Sequence, residues 1–143
     1  MPQADADAAP RYVFVYGTLR AGGSNDIRRF VPAPELVGEA SIFGLLYDLG
    51  AYPGMVLGGP SRVRGEVYRI APRVEAALDE LEEVADDDSG EYIKREIAIA
   101  IAVAVGGCAL PCLVYEIQPS RVVERAVIAS GDWLDHLISR KKR

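Results

Sequence analysis

Proton transfer is the chemistry that this sequence favours, because carboxylates are concentrated in the segment LDELEE at 78–83. The surrounding residues predict a helix over 72–85, with Pro72 suited to its first turn. Its apolar residues recur at helical spacing and define one buried stripe: Val74, Leu78, Leu81 and Ala85. The direction of each carboxylate relative to this stripe separates acids near the core from acids in water.

Glu82 is the acid that lies at the boundary of the stripe. At about 100° per residue it falls roughly 70° from the centre of the stripe, whereas Asp79 and Glu83 point away from the core. Partial burial of a carboxyl group raises its pKa and suits it to proton transfer near neutral pH. Glu75 lies only slightly further round, and a solvated acidic helix face is the simpler interpretation of any one of these residues. The geometry suggests Glu82 without selecting it.

Histidine and cysteine offer little to nucleophilic or metal chemistry. His136 is the single histidine and is expected on the surface of a C-terminal helix. Cys108 and Cys112 have C-x3-C spacing, which with one histidine does not make a zinc site, so two small buried residues on one strand are expected. No phosphate-binding loop motif is present.

The stretch VFVYGTLRAGGSN at 13–25 is the second feature with chemical potential. An apolar strand ends at Tyr16-Gly17-Thr18-Leu19, which leaves consecutive backbone N–H groups without partners in a sheet. Gly17 permits a sharp change of direction and close approach of a ligand. Such N–H groups can hold a carboxylate or a polarised carbonyl oxygen, although a plain turn explains the stretch equally well.

The elements that must position these residues are mostly strands. Aromatic and β-branched residues predict a buried strand at 11–17, and alternation predicts a half-buried strand at 62–70. The segment 35–49 is predicted to form one or two strands bent at Gly38 or Gly44. The segment 50–61 is predicted to form turns around a short apolar piece.

The second half predicts a hairpin and a closing helix. Strands are expected at 91–105 and 108–117, with Pro111 indicating an edge or a bulge. Two helices are predicted besides 72–85: a short one at 24–31 capped by Ser24 or Asn25, and one at 130–140 with Ser130 as N-cap and Asp132 in its first turn. The class is α+β, with a strongly curved or barrel-like sheet.

Composition limits the functions that this chain can have. Its 143 residues suit one domain, and a net charge of −5 with a pI of 4.9 argues against nucleic-acid binding. The basic tail RKKR at 140–143 is expected to be a solvated helix end. The first ten residues are expected to form a flexible arm ahead of a domain at 11–143. They lack the features of a secretory signal, and the longest apolar run, 97–105, is too short to cross a membrane, so a cytoplasmic protein is expected.

Seven segments in order resemble the γ-glutamylcyclotransferase-like superfamily, which includes the AIG2-like proteins and γ-glutamylamine cyclotransferases. They cover nearly the whole chain beyond the first ten residues: VYGTLRAGGSN (15–25), LYDLGAYPG (46–54), VRGEVYRI (63–70), LDELE (78–82), YIKREIAI (92–99), CLVYEI (112–117) and SGDW (130–133). The resemblance implies a small mixed β-barrel flanked by a few helices.

The resemblance also assigns roles to residues. It implies that Glu82 is the catalytic acid/base and that Tyr16, Gly17, Thr18 and Leu19 form the substrate-holding loop. Tyr92 and Tyr115 match family tyrosines near the cavity. The implied partner is a small γ-glutamyl substrate, converted to 5-oxoproline and a free amine without a cofactor, and a homodimer is left open.

This chain departs from the family pattern at two positions. Glu83 stands where the family usually has glycine after the catalytic glutamate, and Asp26 stands where many relatives have histidine. A like charge beside Glu82 can perturb its pKa. The alternative function is a non-catalytic binding or interaction protein that retains the fold and its pocket. Retention of Glu82 with the complete Tyr-Gly-Thr-Leu segment favours the enzyme.

Overall fold

A computed structural model describes residues 11–82, 90–101 and 109–141 of the chain. It contains a mixed sheet of six strands: β1 (Arg11–Val15), β2 (Glu35–Asp48), β3 (Pro53–Ile70), β4 (Tyr92–Ala100), β5 (Ala109–Ile117) and β6 (Ala126–Val127). Two α-helices accompany it, α1 (Pro72–Leu81) and α2 (Trp133–Lys141). The sheet curves into a half-barrel, which confirms the predicted α+β class.

The strand order is β4-β5-β1-β3-β2-β6, which places β1 near the centre of the sheet. β1 pairs antiparallel with β3 and parallel with β5, and this parallel pair makes the sheet mixed. Alternate residues of β1 enter two apolar clusters, with Val13 and Val15 in one and Phe14 in the other. Because β1 is covered on both faces, its residues are apolar at nearly every position.

β2 and β3 form a long hairpin, and the glycine-rich segment 58–61 interrupts its pairing. The predicted bends in β2 are confirmed, since the register shifts between Leu36 and Gly38 and again between Phe43 and Gly44. The prediction of turns around a short apolar piece over 50–61 is confirmed in part. β3 begins at Pro53 and pairs with β2 up to Leu57, whereas residues 58–61 have no partner in β2, because the register passes from Gly44 with Leu57 to Phe43 with Arg62. Gly58 and Gly59, with φ of 101° and 88°, accommodate the irregularity within β3.

β4 and β5 form the predicted hairpin, paired from Tyr92 with Ile117 to Ala100 with Ala109. Pro111 was expected at an edge or a bulge, but β5 lies between β4 and β1, and its register with β4 is continuous. The pairing of β5 with β1 is at Leu113, so Pro111 lies beyond it. The missing N–H of proline is therefore tolerated in an interior strand. The predicted continuation of these strands into 102–108 lies outside the described residues.

The helices are shorter than predicted, and their caps differ. α1 ends at Leu81 with Glu82 as its C-cap, while 83–85 lie outside the described residues. Asp132, not Ser130, caps α2, because its Oδ1 accepts from the N–H of Asp135 at 3.1 Å. The predicted helix at 24–31 is a single 3-10 turn, Ile27–Arg29, capped by Asp26. Among the described helices, none is long and apolar enough to cross a membrane.

Candidate active site

A cavity of about 340 Å³ opens where β1 ends, between the start of β3, the end of α1 and the start of β4. This volume lies within the range of small-molecule sites. The seven residues that the resemblance implies for the site all line it: Tyr16, Gly17, Thr18, Leu19, Glu82, Tyr92 and Tyr115. Among the described residues, the wall includes no lysine, arginine or histidine. Neutral donors would therefore have to hold an anionic group in this cavity.

The loop after β1 presents three such donors. The carbonyl groups of Gly17, Thr18 and Leu19 accept hydrogen bonds from Arg20, Asn25 and Ile27, respectively, at 2.9–3.0 Å. Their N–H groups, in contrast, donate to no described residue. Gly17 and Leu19 are buried residues, Thr18 is partly buried, and all three line the cavity. Unpaired backbone N–H groups are rare in protein interiors, and consecutive ones beside a cavity can hold an anion or a carbonyl oxygen.

Close packing, not backbone conformation, requires glycine at position 17. A Cβ at Gly17 would lie 2.7 Å from Cγ and 2.9 Å from Cδ of Pro53. Gly17 does not have positive φ. The chain changes direction at Gly17 as expected, since its carbonyl accepts from the N–H of Arg20 at 3.0 Å, and the loop is held tightly against the start of β3.

The tyrosine hydroxyls of the wall are used for support. Tyr16 donates to the carbonyl of Tyr115 at 2.6 Å and accepts from the N–H of Met55 at 3.2 Å. Tyr92 donates to the carbonyl of Pro53 at 2.8 Å. Tyr16 and Tyr92 are almost fully buried, and burial raises the pKa of both phenols, so both remain neutral. These tyrosines shape the cavity and tie its strands together.

Glu82 brings an unusual carboxyl group to this cavity. It is partly buried at the C-terminal end of α1, where its own N–H bonds to the carbonyl of Leu78. Burial, and secondarily the charge of Glu91, raises the pKa of Glu82 from 4.5 to about 7. The negative end of the helix dipole acts in the same direction. At neutral pH Glu82 therefore exchanges a proton readily.

Of the two neighbouring acids of α1, Asp79 differs from its sequence prediction, whereas Glu75 is near the boundary of the stripe as expected. Asp79 was expected to point away from the core, but its carboxylate accepts from the Tyr115 hydroxyl at 2.7 Å and from Lys94 Nζ at 2.9 Å. Glu75 also pairs with Lys94. β4 and β5 cover this face of α1, so the expected solvated acidic face is an ion-paired contact with the sheet. Glu83 lies outside the described residues.

A buried ion network that the sequence analysis missed anchors the loop. Arg20 Nε donates to Glu66 Oε2 at 2.7 Å, and Arg20 Nη1 donates to Asp132 Oδ1 at 2.8 Å. The other oxygen of Glu66 accepts from the N–H of Ala21 at 3.3 Å. The network joins the loop to β3 and to the cap of α2. It is formed by residues 46 and 112 positions apart, which no local pattern could indicate.

His136 and Cys112 lie away from the cavity wall. His136 is not a simple surface residue as expected, since it is partly buried with Nε2 2.7 Å from Asp48 Oδ2. Cys112 is buried in the core, where burial raises the pKa of its thiol to about 11, and Cys108 lies outside the described residues. Asp26, the departure noted in the sequence, binds Arg28 rather than entering this cavity.

The chain was compared with known families and structures. Residues 13–135 match the family described as "Gamma-glutamyl cyclotransferase, AIG2-like". The chain belongs to this family. Among γ-glutamylcyclotransferase-family relatives, YtfP of Escherichia coli is 38% identical over 124 residues, covering 86% of this chain and 96% of YtfP. A Vibrio cholerae protein provisionally named a gamma-glutamylcyclotransferase is 39% identical over 123 residues, covering 85% of this chain and 93% of that protein.

Solved structures agree with the fold of the γ-glutamylcyclotransferase family. The solution structure of E. coli YtfP has a TM-score of 0.58 at 36% identity, covering 87% of this chain and 97% of YtfP. The crystal structure of YkqA from Bacillus subtilis has a TM-score of 0.72 at 23% identity. That likeness covers 94% of this chain but only 44% of YkqA, and it concerns the fold alone.

Proposed function

We propose that this member of the γ-glutamylcyclotransferase family converts a γ-glutamyl amine or γ-glutamyl peptide to 5-oxoproline and a free amine. One observation carries the proposal: the raised-pKa carboxyl group of Glu82 and the unpaired N–H groups of residues 17–19 line the same cavity. This cyclisation requires a group that accepts a proton and a set of groups that donate hydrogen bonds to an anion or an oxyanion.

The reaction is an intramolecular acyl transfer. The α-amine of the γ-glutamyl group attacks its own γ-carbonyl carbon, a new C–N bond closes a five-membered ring, and the bond to the leaving amine breaks. Glu82 accepts a proton from the α-ammonium and delivers it to the departing nitrogen. The second proton, which the ring nitrogen loses as the ring closes, passes through Glu82 in the same way, so the amine leaves as an ammonium ion and Glu82 returns to its carboxylate form. A carboxyl group with a pKa of about 7 suits both steps, since it accepts and returns a proton at similar cost. No cofactor is needed because nucleophile and electrophile belong to one molecule.

Orientation supplies much of the rate in such a reaction. Well-oriented intramolecular reactions reach effective molarities of ~10^5 M or more. The N–H groups of Gly17, Thr18 and Leu19 would hold the folded substrate through its carboxylate or its γ-carbonyl oxygen. Each well-placed donor to a developing oxyanion contributes about 3 kcal/mol to transition-state stabilisation. The absence of basic side chains from the described wall gives these N–H groups that task.

A panel of γ-glutamyl compounds, assayed for 5-oxoproline, tests the proposal. The panel should contain γ-glutamyl dipeptides and γ-glutamyl alkylamines, and each incubation should report 5-oxoproline together with the released amine. We expect equal amounts of both products from at least one class. Binding of these compounds without turnover, by folded protein, would support the non-catalytic alternative instead.

A further inference from the structure

Glu91 is a second carboxylate in the wall of the candidate active site. It directly precedes β4 and lines the same cavity as Glu82. Its backbone is fixed, because its carbonyl accepts from the N–H of Gln118 at 3.1 Å. After burial, the charge of Glu91 is the other cause that raises the pKa of Glu82, so the two carboxyl groups are near enough to interact. The proposed reaction uses Glu82 for proton transfer and leaves Glu91 without a role.

Within the described residues the protein does not neutralise the charge of Glu91. Its Oε2 accepts a hydrogen bond from the Tyr52 hydroxyl at 2.5 Å, which orients the carboxylate but leaves its charge in place. The nearest cations along the chain, Lys94 and Arg95, pair instead with acids of α1 and β5. Because charged groups that are partly buried are normally paired, this wall favours a cationic group of a ligand.

The proposed substrate supplies such a group. A γ-glutamyl compound carries an α-carboxylate, an α-ammonium and a neutral γ-amide on one short chain. The N–H groups of residues 17–19 suit the carboxylate or the γ-carbonyl oxygen, so the ammonium needs a different partner. Glu82 is a poor ion-pair partner at neutral pH, because a carboxyl group with a pKa of about 7 is protonated in much of the protein. Glu91 is the other carboxylate of the described wall.

Resting on the proposed function, we propose that Glu91 binds the α-ammonium of the γ-glutamyl group and holds the amine beside Glu82. Tyr52, in the turn between β2 and β3, keeps the Glu91 carboxylate in position. This ion pair exists only in the substrate complex, since the nitrogen that closes the ring becomes the neutral amide of 5-oxoproline. Glu91 therefore selects the substrate over the product and favours release of 5-oxoproline.

A matched pair of compounds tests the ammonium site. γ-Glutamyl-ethylamine and N-ethylglutaramic acid differ only by the α-ammonium group. Each should be titrated calorimetrically into Glu82→Gln protein, which lacks the proposed acid/base, and into Glu82→Gln protein that also carries Glu91→Gln. Glutamine keeps the size of the side chain and an oxygen that can accept from the Tyr52 hydroxyl, so this substitution removes the charge. Glu80→Gln is the matched control, since Glu80 is exposed and does not line the cavity.

We expect γ-glutamyl-ethylamine to bind about three- to tenfold more tightly than N-ethylglutaramic acid, through an ion pair that is partly shielded from water. Glu91→Gln should remove this preference, and Glu80→Gln should leave it unchanged. Neither substitution should weaken the binding of N-ethylglutaramic acid or 5-oxoproline, which lack the ammonium. Equal affinities of the two compounds, a preference that survives Glu91→Gln, or an equal loss of affinity for all ligands would overturn the proposal.

Kinetics with Glu82 intact add a readout that a purely structural role would not move. With a substrate that the panel identifies, Glu91→Gln should raise KM and shift the acidic limb of the kcat/KM profile to lower pH, because Glu82 loses a nearby negative charge. The remaining ionisable side chains of the described wall are the phenols of Tyr16, Tyr52, Tyr92 and Tyr115, so no other carboxyl or imidazole group of this wall contributes to that limb. An unchanged KM with an unmoved acidic limb would contradict the proposal.

The two proposals fail in different ways. An ammonium preference that depends on Glu91, without 5-oxoproline from any panel compound and wild-type protein, contradicts the proposed function and supports the ammonium site. Turnover by the wild type without an ammonium preference in binding contradicts the ammonium site alone. If neither compound binds folded protein, both proposals are overturned.

Discussion

Glu82→Gln should stabilise the protein at alkaline pH while removing the acid that the proposed reaction needs. Glutamine keeps the size and polarity of the side chain but carries no charge. In the native protein the ionised carboxylate of Glu82 is held away from water and near Glu91, both of which disfavour its charge. The wild-type chain therefore loses stability when Glu82 ionises, and the variant does not.

The magnitude follows from the difference between the ordinary and the folded pKa. The folded pKa of about 7 exceeds the ordinary value of 4.5. Below pH 4.5 Glu82 is protonated in both the folded and the unfolded chain, so its ionisation does not lower the free energy of unfolding. As the pH rises through this window the unfolded chain loses its proton first, and stability falls. Above pH 7 the full penalty applies, up to about 3 kcal/mol, since each tenfold change in a protonation equilibrium corresponds to about 1.4 kcal/mol.

Urea denaturation at pH 4.5 and pH 8 measures this effect. Glu82→Gln should match the wild type at pH 4.5 and should exceed its free energy of unfolding at pH 8 by about 2–3 kcal/mol. Glu80→Gln, on the exposed side of the same helix, is the control and should follow the wild type at both pH values. A Glu82→Gln variant that is equally stable or less stable than the wild type at pH 8 would refute the burial argument.

Three further substitutions test how the loop is supported. Gly17→Ala places a Cβ against the Pro53 ring and should lower the free energy of unfolding by about 1–3 kcal/mol. The folded variant should also bind γ-glutamyl ligands more weakly than the wild type. If its affinity falls only as far as its stability does, the loop acts as a turn and does not hold the ligand. Arg20→Met leaves Glu66 without its buried partner and should cost about 3–5 kcal/mol in urea denaturation. Tyr16→Phe removes two hydrogen bonds and should cost about 1–3 kcal/mol by the same measurement.

Local patterns predicted the parts of the fold that local chemistry determines. The apolar run of β1, the bends of β2 at Gly38 and Gly44, and the hairpin of β4 and β5 each depend on residues close together in sequence. Helical periodicity likewise identified Val74 and Leu78 as buried, but Leu81, which it assigned to the same stripe, is exposed at the end of the helix. In each case a short-range spacing fixes which face of an element is covered.

Contacts between distant elements explain the errors. Asp79 was placed on the solvent side because periodicity describes one helix and not the Lys94 and Tyr115 side chains that approach it from the sheet. Pro111 was assigned to an edge because a sequence does not show where a neighbouring strand ends. The pairing of Arg20 with Glu66 depends on the tertiary fold in the same way.

The rate of 5-oxoproline formation by wild-type protein and Glu82→Gln, compared at pH 8 with a substrate that the panel identifies, tests the central claim most directly. Both proteins should show the same circular dichroism spectrum and bind the compound. We predict 5-oxoproline and free amine in equal amounts from the wild type and only the uncatalysed rate from Glu82→Gln. Turnover by Glu82→Gln at the wild-type rate would contradict the assignment of Glu82 as the acid/base.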